Sequence, residues 1–267
     1  MSHRWFVCFC LMVICQGLPV TVFAYHIQGL SQFEKTEQQK LKAWIDKGVE
    51  ATTNTFGGYP FPIYLQLYPK RSNQPVPWAN TWREDKQSVH LYVDQRFPLD
   101  HFVNDWTLYH ELSHLALPYL GSWHSWFAEG FASFMQYQVM DNAGVLEGAP
   151  MQGYIRKITP HWANYQSEHS AAAVARRLME NRNYPGAYWG GAWFFVLADK
   201  RLQAQGKNLV EVMRTYQQCC RIKDDNLEDV VESLDTLVDT PVFKPLLKQF
   251  ETQPAKTLFR EEDLRLL

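Results

Sequence analysis

The pattern of apolar and polar residues predicts one helix early in the chain, followed by a β-rich segment. Residues 30–50 carry apolar positions at helical spacing and predict a helix that ends near Gly48. The segments 59–69 and 88–94 are rich in β-branched and aromatic residues and are bounded by Pro, Gly or Asn, so they predict strands. The segment between them, 68–82, is predicted to be a loop.

Downstream of Pro98 nearly the whole pattern is helical. Asp100 and Asn104 are two candidate caps for a helix that runs to about Leu117, where Pro118 would stop it. A small N-terminal β-sheet followed by a mainly helical C-terminal part is an α+β arrangement, which is the fold class we predict. Further helices are predicted over 125–140, 167–181, 187–205, 207–221, 226–238 and 241–252.

The first 24 residues have the composition of a secretory signal peptide. A short basic start, "MSHR", precedes the apolar run "WFVCFCLMVICQGLPVTVF", and cleavage is predicted after Ala24. An uncleaved membrane anchor is the alternative, but Gln16, Gly17 and Pro19 interrupt the apolar run. We therefore predict an exported protein, periplasmic or secreted, in which residues 25–267 form one domain without stable membrane insertion.

Composition and charge fit a globular domain and argue against nucleic acid as a partner. The chain has 267 residues, of which 46% are hydrophobic, and its formal net charge is −2 without a long basic run. After signal cleavage two cysteines remain, Cys219 and Cys220. Adjacent cysteines rarely bond to each other, because a disulfide needs a geometry that neighbours reach only with strain, so an unbonded pair is expected. The sequence carries no signal for an oligomeric state.

The segment "WTLYHELSHLAL", residues 106–117, contains His-Glu-x-x-His in the middle of a predicted helix. This spacing places His110 and His114 one turn apart on the same face. Two imidazole nitrogens so placed can bind one Zn²⁺. Glu111 lies beside them, where it can accept a proton from a metal-bound water rather than bind the metal.

A catalytic zinc site needs a third protein ligand and an open fourth position. Three candidates follow the motif: His124, Glu129 and Asp141. A metzincin would have Gly and His at positions that here are Leu117 and Leu120, so that class is excluded. Glu129 is favoured, because it lies near the start of the next predicted helix. Its carboxylate would project toward the first helix if the two pack antiparallel.

The motif and the segments after it resemble the gluzincin metallopeptidases, the group that contains thermolysin and the aminopeptidase N family. "HELSH" followed by "WFAEGFASF" is similar to the zinc-binding blocks of the aminopeptidase N and glycyl aminopeptidase families. "YWGGAWFFVLADKRL" is similar to their Tyr-x-x-Gly helix start. The resemblance implies a zincin-like catalytic domain in which His110, His114 and Glu129 bind one Zn²⁺ per chain. It also implies that Glu111 is the general base and that Tyr188 donates to the developing oxyanion.

One departure from these families concerns the substrate. The Gly-x-Met-Glu-Asn strand that holds the substrate's free amine in the aminopeptidases is absent before His110. The strand 88–94 is expected at the sheet edge, where it could pair with a peptide backbone, and Asp94 at its end is a weak substitute for the missing glutamate. The sequence thus predicts an exported zinc metallopeptidase for peptide or protein substrates, with endo- and aminopeptidase activity both open. The alternative is a non-catalytic exported module that binds peptides or envelope proteins on the same scaffold.

Overall fold

The computed structural model describes residues 24–83 and 86–265, which form a small sheet and a larger helical part. The predicted signal peptide therefore lies outside the described residues, apart from Ala24 at its end. Among the described helices, none has both the length and the apolar character that crossing a bilayer requires.

The described strands form one mixed sheet of four strands. In space they follow the order β1-β2-β4-β3. Strand β2 is parallel to both β1 and β4, whereas β3 is antiparallel to β4. Buried and half-buried residues alternate along β2 and β4, so one sheet face joins the core. The strands are β1 (Tyr25–Gln28), β2 (Ile63–Pro69), β3 (Trp78–Arg83) and β4 (Gln87–Val93).

The edge strand β3 corrects two predictions. The segment 68–82 contains this strand and is not only a loop, and the predicted strand 88–94, now β4, lies inside the sheet between β2 and β3. Residues of β3 are half-buried or exposed throughout, with Trp78 59% and Trp82 50% exposed. A strand without alternating burial leaves no period of two in the sequence, which is why the pattern missed it.

Helices make up most of the remaining described chain. The longest, α1, continues past Gly48, where the sequence predicted its end, to Phe56. The missing side chain at Gly48 makes room for Leu108: a Cβ there would lie 2.5 Å from Leu108 Cδ2. The helices are α1 (Lys35–Phe56), α2 (Leu99–Asn104), α3 (Thr107–His114), α4 (Ser125–Asn142), α5 (Pro150–Ile158), α6 (Ala171–Glu180), α7 (Tyr184–Gln203), α8 (Leu209–Cys219), α9 (Leu227–Thr236), α10 (Phe243–Thr252), α11 (Ala255–Leu258) and α12 (Glu261–Arg265).

The helix predicted to run to about Leu117 is in fact two helices, α2 and α3. Asp105 between them has an extended backbone, with φ −74° and ψ 130°. Its Oδ1 accepts a hydrogen bond of 2.9 Å from the backbone N–H of Thr107 and so caps the start of α3. Helix α3 ends at His114, because Leu115 and the following residues turn away in tighter hydrogen-bonded turns.

The two cysteines that were expected to be unbonded form a disulfide between neighbours, Cys219–Cys220. Helix α8 ends at Cys219, and Cys220 has left helical geometry, with φ −129° and ψ −33°. The sequence analysis placed both cysteines in one helix, 207–221, and so did not anticipate that Cys220 leaves the helix.

Candidate metal centre

Helix α3 carries the His-Glu-x-x-His motif in the interior of the protein. All eight of its residues are buried. The rings of His110 and His114 face each other edge to face, with centroids 4.7 Å apart. Both imidazoles therefore lie on one side of the helix, as their spacing of four residues predicts.

Helix α4 packs against α3 and brings Glu129 to these imidazoles. Its Oε2 lies 3.2 Å from Nε2 of His110 and 3.4 Å from Nε2 of His114. One potential ligand atom from each of the three residues lies within 4.8 Å of the others. The three residues that the family resemblance assigned to the metal thus meet at one point.

The other two candidates for the third ligand lie elsewhere. His124 ends the short 3-10 turn before α4, where burial lowers its pKa and the nearby charged groups are Glu251, Arg176 and Glu228. Asp141 is exposed near the C-terminal end of α4. Neither residue contributes to the cluster.

The three side chains fit a zinc ion. Two imidazoles and one glutamate are a ligand set of catalytic zinc sites, and ligands at about 2.0–2.1 Å in tetrahedral geometry lie about 3.3–3.4 Å apart. The two measured separations, 3.2 and 3.4 Å, agree with this value. All three side chains also line a cleft that is open to solvent.

Gln136 orients the first imidazole. Its Oε1 lies 2.9 Å from Nδ1 of His110, and both residues are buried. The amide oxygen is an acceptor, so Nδ1–H donates to it and the lone pair of Nε2 is left for the metal. Gln136 was missed by the sequence analysis, although it lies seven residues after Glu129 on α4 and hence on the same face.

Electrostatic attraction links the carboxylate of Glu129 to the imidazoles of the cluster. Burial alone would raise the pKa of Glu129, but the two imidazoles outweigh it and hold that pKa well below its usual range. Burial would lower the pKa of His110, but Glu129, Glu111 and Gln136 raise it above its usual value. A proton and a metal ion therefore compete for Nε2 of His110.

Glu111 is connected to the edge strand rather than to the metal cluster. The Thr81 hydroxyl lies 2.7 Å from Oε2 of Glu111 and 2.9 Å from the backbone oxygen of the same residue. One carboxylate oxygen is thereby oriented by β3. Thr81 was missed by the sequence analysis, because its segment was predicted to be a loop.

Tyr188 lies on the opposite side of the cleft, in the second turn of α7. Its ring stacks on that of His110 at 6.2 Å between centroids. Burial raises the pKa of its hydroxyl, and the carboxylates of Glu129 and Glu111 raise it further. The phenol is therefore protonated at neutral pH and available as a hydrogen-bond donor. Helix α7 begins at Tyr184, three residues before the predicted start.

The backbone oxygens at the end of α3 are held by side chains from distant elements. Arg83 Nη1 donates to the oxygen of His114 at 2.8 Å, and Arg221 Nε donates to that of Leu115 at 2.9 Å. Gln217 Nε2 donates to the oxygen of Ala116 at 3.0 Å. These donors satisfy carbonyls that a helix C-terminus leaves without partners.

A cleft of about 520 Å³ opens over the cluster. Strand β3 forms one wall, and the exposed ring of Trp106 stands at the junction of α2 and α3. The cleft is lined by Gln74, Val76, Pro77, Trp78, Ala79, Asn80, Thr81, Arg83, Asp105, Trp106, Thr107, His110, Glu111, His114, Glu129 and Tyr188.

Known proteins resemble this chain in structure and not in sequence. No protein-family model matches the chain, and no curated protein matches it in sequence. A crystal structure of M1 zinc metallopeptidase from Deinococcus radiodurans matches with a TM-score of 0.52 and 15% identity, over 79% of this chain and 44% of that chain. A mutant of this peptidase bound to a Tyr-Ser-Ala substrate matches with a TM-score of 0.51 and 14% identity, over 78% of this chain and 44% of that chain.

The fold is similar to that of part of these M1 zinc metallopeptidases. The predicted α+β, zincin-like arrangement, with a small N-terminal sheet and a mainly helical remainder, is confirmed. The chain spans less than half the length of these solved structures. At 14–15% identity the likeness describes the fold alone.

Proposed function

We propose that this chain is an exported zinc-dependent peptidase, which hydrolyses peptide bonds with one Zn²⁺ per chain. The observation that carries the proposal is the position of Glu111 beside the cluster of His110, His114 and Glu129. A protein that only bound metal or peptide would have no use for a free carboxylate in that place. The similarity of the fold to that of zinc metallopeptidases also supports a peptidase function.

A zinc ion held by His110, His114 and Glu129 would lower the pKa of a water and polarise the scissile carbonyl. Glu111 accepts the proton of the attacking water and returns it to the leaving amine. Thr81 holds one oxygen of Glu111, which leaves the other oxygen for this proton transfer. Tyr188 donates from its phenol to the carbonyl oxygen as negative charge develops there.

Strand β3 offers hydrogen-bonding groups to the backbone of a peptide substrate. As the edge of the sheet beside the cleft, β3 offers backbone groups that no neighbouring described strand takes up. An extended peptide that pairs with this edge would be placed alongside the metal ligands by main-chain hydrogen bonds. This role moves from the strand 88–94, where the sequence analysis put it, to Trp78–Arg83.

The test combines zinc analysis of residues 25–267 with a peptide-library digest, with and without a chelator. We expect about one zinc per chain and hydrolysis that the chelator abolishes. Glu111→Gln should keep the zinc and lose roughly 10²-fold to 10⁴-fold in rate, the usual contribution of a general base. Glu147→Gln changes an exposed carboxylate that does not line the cleft and serves as the matched control.

Two results would overturn the proposal. A folded chain that binds no zinc, or one that binds zinc but cleaves no peptide in the library, would favour the non-catalytic binding module. Cleavage at the same rate by Glu111→Gln would contradict the mechanism. The cleavage positions decide between aminopeptidase and endopeptidase activity.

A further inference from the structure

A second cavity, of about 680 Å³, adjoins the metal cleft. The two share the side chains of Trp106, His110 and Tyr188. We call the second cavity the side cavity; beyond the shared residues, its aromatic wall is formed by Tyr137 and Trp189, whose ring centroids lie 5.8 Å apart. These three side chains therefore border both cavities, and the side cavity lies directly beside the metal cleft.

The mouth of the side cavity is basic. Arg156 and Lys157 from the end of α5 line it, together with His161 from the 3-10 segment that follows. Burial lowers the pKa of His161, so the positive charge at neutral pH belongs to Arg156 and Lys157. Within the described part of the chain, neither of these two cations forms an ion pair, and none of the residues lining the side cavity is a carboxylate.

The charges of the metal cleft are balanced differently. Its lining contains Asp105, Glu111 and Glu129 together with Arg83, and a Zn²⁺ held by the cluster would offset most of the negative charge. Arg156 and Lys157 have no carboxylate beside them in the lining of the side cavity. These two cations therefore favour a negative group on the part of the peptide that enters the side cavity.

We propose that the side cavity binds the part of a peptide substrate that carries an apolar or aromatic side chain and a carboxylate, through its aromatic wall, Arg156 and Lys157. The carboxylate belongs either to an acidic side chain or to the C terminus of the peptide. This proposal rests on the proposed peptidase function, since it assigns the substrate class of that site. The volume, about 680 Å³, lies within the 300–1,000 Å³ range of small-ligand pockets.

The experiment measures binding, so that it does not depend on turnover. Glu111→Gln protein, with its zinc content recorded, is titrated by calorimetry with four peptides of the form acetyl-Ala-Ala-Ala-Phe-X. X is Glu or Gln, and the C terminus is either free or amidated. Comparing Glu with Gln isolates the acidic side chain, and comparing acid with amide isolates the terminal carboxylate.

We expect at least one of the two carboxylates to tighten binding by roughly threefold to tenfold, because exposed ion pairs contribute a few-fold each. The preference should fall as salt is raised. It should be lost when Arg156→Gln and Lys157→Gln are combined. The double variant Arg71→Gln and Lys223→Gln, which removes two exposed charges elsewhere, should retain it.

The outcomes separate this inference from the proposed function. Equal affinity for all four peptides, undetectable binding of all four, or a preference that survives the Arg156 and Lys157 substitutions would overturn the side-cavity proposal, even if zinc-dependent cleavage is found. A charge preference that depends on these two residues in a protein without zinc would support the cavity and reject the peptidase.

Discussion

Gly130 of α4 and Gly191 of α7 are in backbone contact. A Cβ added at Gly130 would lie 2.3 Å from the carbonyl carbon of Gly191, closer than real atoms approach. Two proposed site residues are neighbours of this contact: Glu129 precedes Gly130, and Tyr188 lies one turn before Gly191. The absence of two side chains thus sets the separation between a proposed metal ligand and the proposed oxyanion donor.

Gly130→Ala should destabilise the protein and weaken zinc binding together. The added methyl group must push α4 away from α7, with a loss in the free energy of unfolding of at least the ~1–3 kcal/mol typical of overpacking. Urea unfolding and a zinc competition assay measure the two effects. Gly206→Ala is the control: its φ of 72° makes alanine strained, yet a Cβ there meets nothing within 4 Å. It should cost stability without changing zinc affinity, and an unchanged zinc affinity in Gly130→Ala would contradict the expectation.

Gln136→Leu should lower zinc affinity by about 10-fold to 100-fold, the usual effect of removing a hydrogen-bond partner of a metal-bound histidine. Leucine is similar in size but cannot accept from Nδ1 of His110, so the imidazole loses its fixed orientation. Competition with a chromophoric chelator measures the change. Gln138→Leu, two residues along the same helix, should bind zinc as the parent does. Equal affinities for the two variants would remove Gln136 from the site.

Tyr188→Phe should reduce kcat by about 10²-fold to 10³-fold, as expected for the loss of one oxyanion donor. The KM and the zinc content should change little, because the phenol donates mainly as charge develops. Tyr92→Phe removes a hydroxyl from the far face of the sheet and should leave kcat unchanged. A Tyr188→Phe enzyme with parental kcat would assign its hydroxyl a structural role.

Zinc should stabilise the protein more at pH 8 than at pH 6. The pKa of His110 is raised in the metal-free protein, so its contribution to stability is complete below about pH 6.5 and is lost as pH rises through the folded pKa. The pKa of Glu129 is lowered, so its contribution persists at these pH values and is lost only in acid. Zinc needs a deprotonated imidazole, and competition from the proton weakens as pH rises.

Thermal unfolding with zinc and with chelator, at both pH values, gives the shift in Tm. A zinc-induced shift that shrinks from pH 6 to pH 8 would be the opposite of the expected sign.

Two helices were predicted well from the sequence. The expected helix at 125–140 is Ser125–Asn142, and that at 241–252 is Phe243–Thr252. The second has one face buried in the core, so its helical period is visible in the sequence, whereas the first is buried on nearly every side and is apolar along most of its length. The helix at Pro150–Ile158 was not predicted, although its arginine and lysine form the basic mouth of the side cavity.

The site was predicted only where a local motif exists. His110 and His114 are four residues apart on one helix, and Glu129 belongs to a recognisable block, so family resemblance brought the three together before the structure did. Thr81 and Arg83 come from an edge strand that the pattern does not reveal. Which strand lies at a sheet edge depends on how the whole sheet pairs, and a single segment carries no signal for it.

The hydrogen bonds at the end of α3 tie the metal cluster to late segments of the chain. Gln217 and Arg221 lie 101 and 106 residues after the carbonyls that they hold. A nascent chain completed only through α7 already contains all three proposed metal ligands, but not these two donors. Contacts so distant in sequence form slowly. We therefore expect the support of the end of α3, and with it the final geometry of the proposed metal centre, to be completed late in folding.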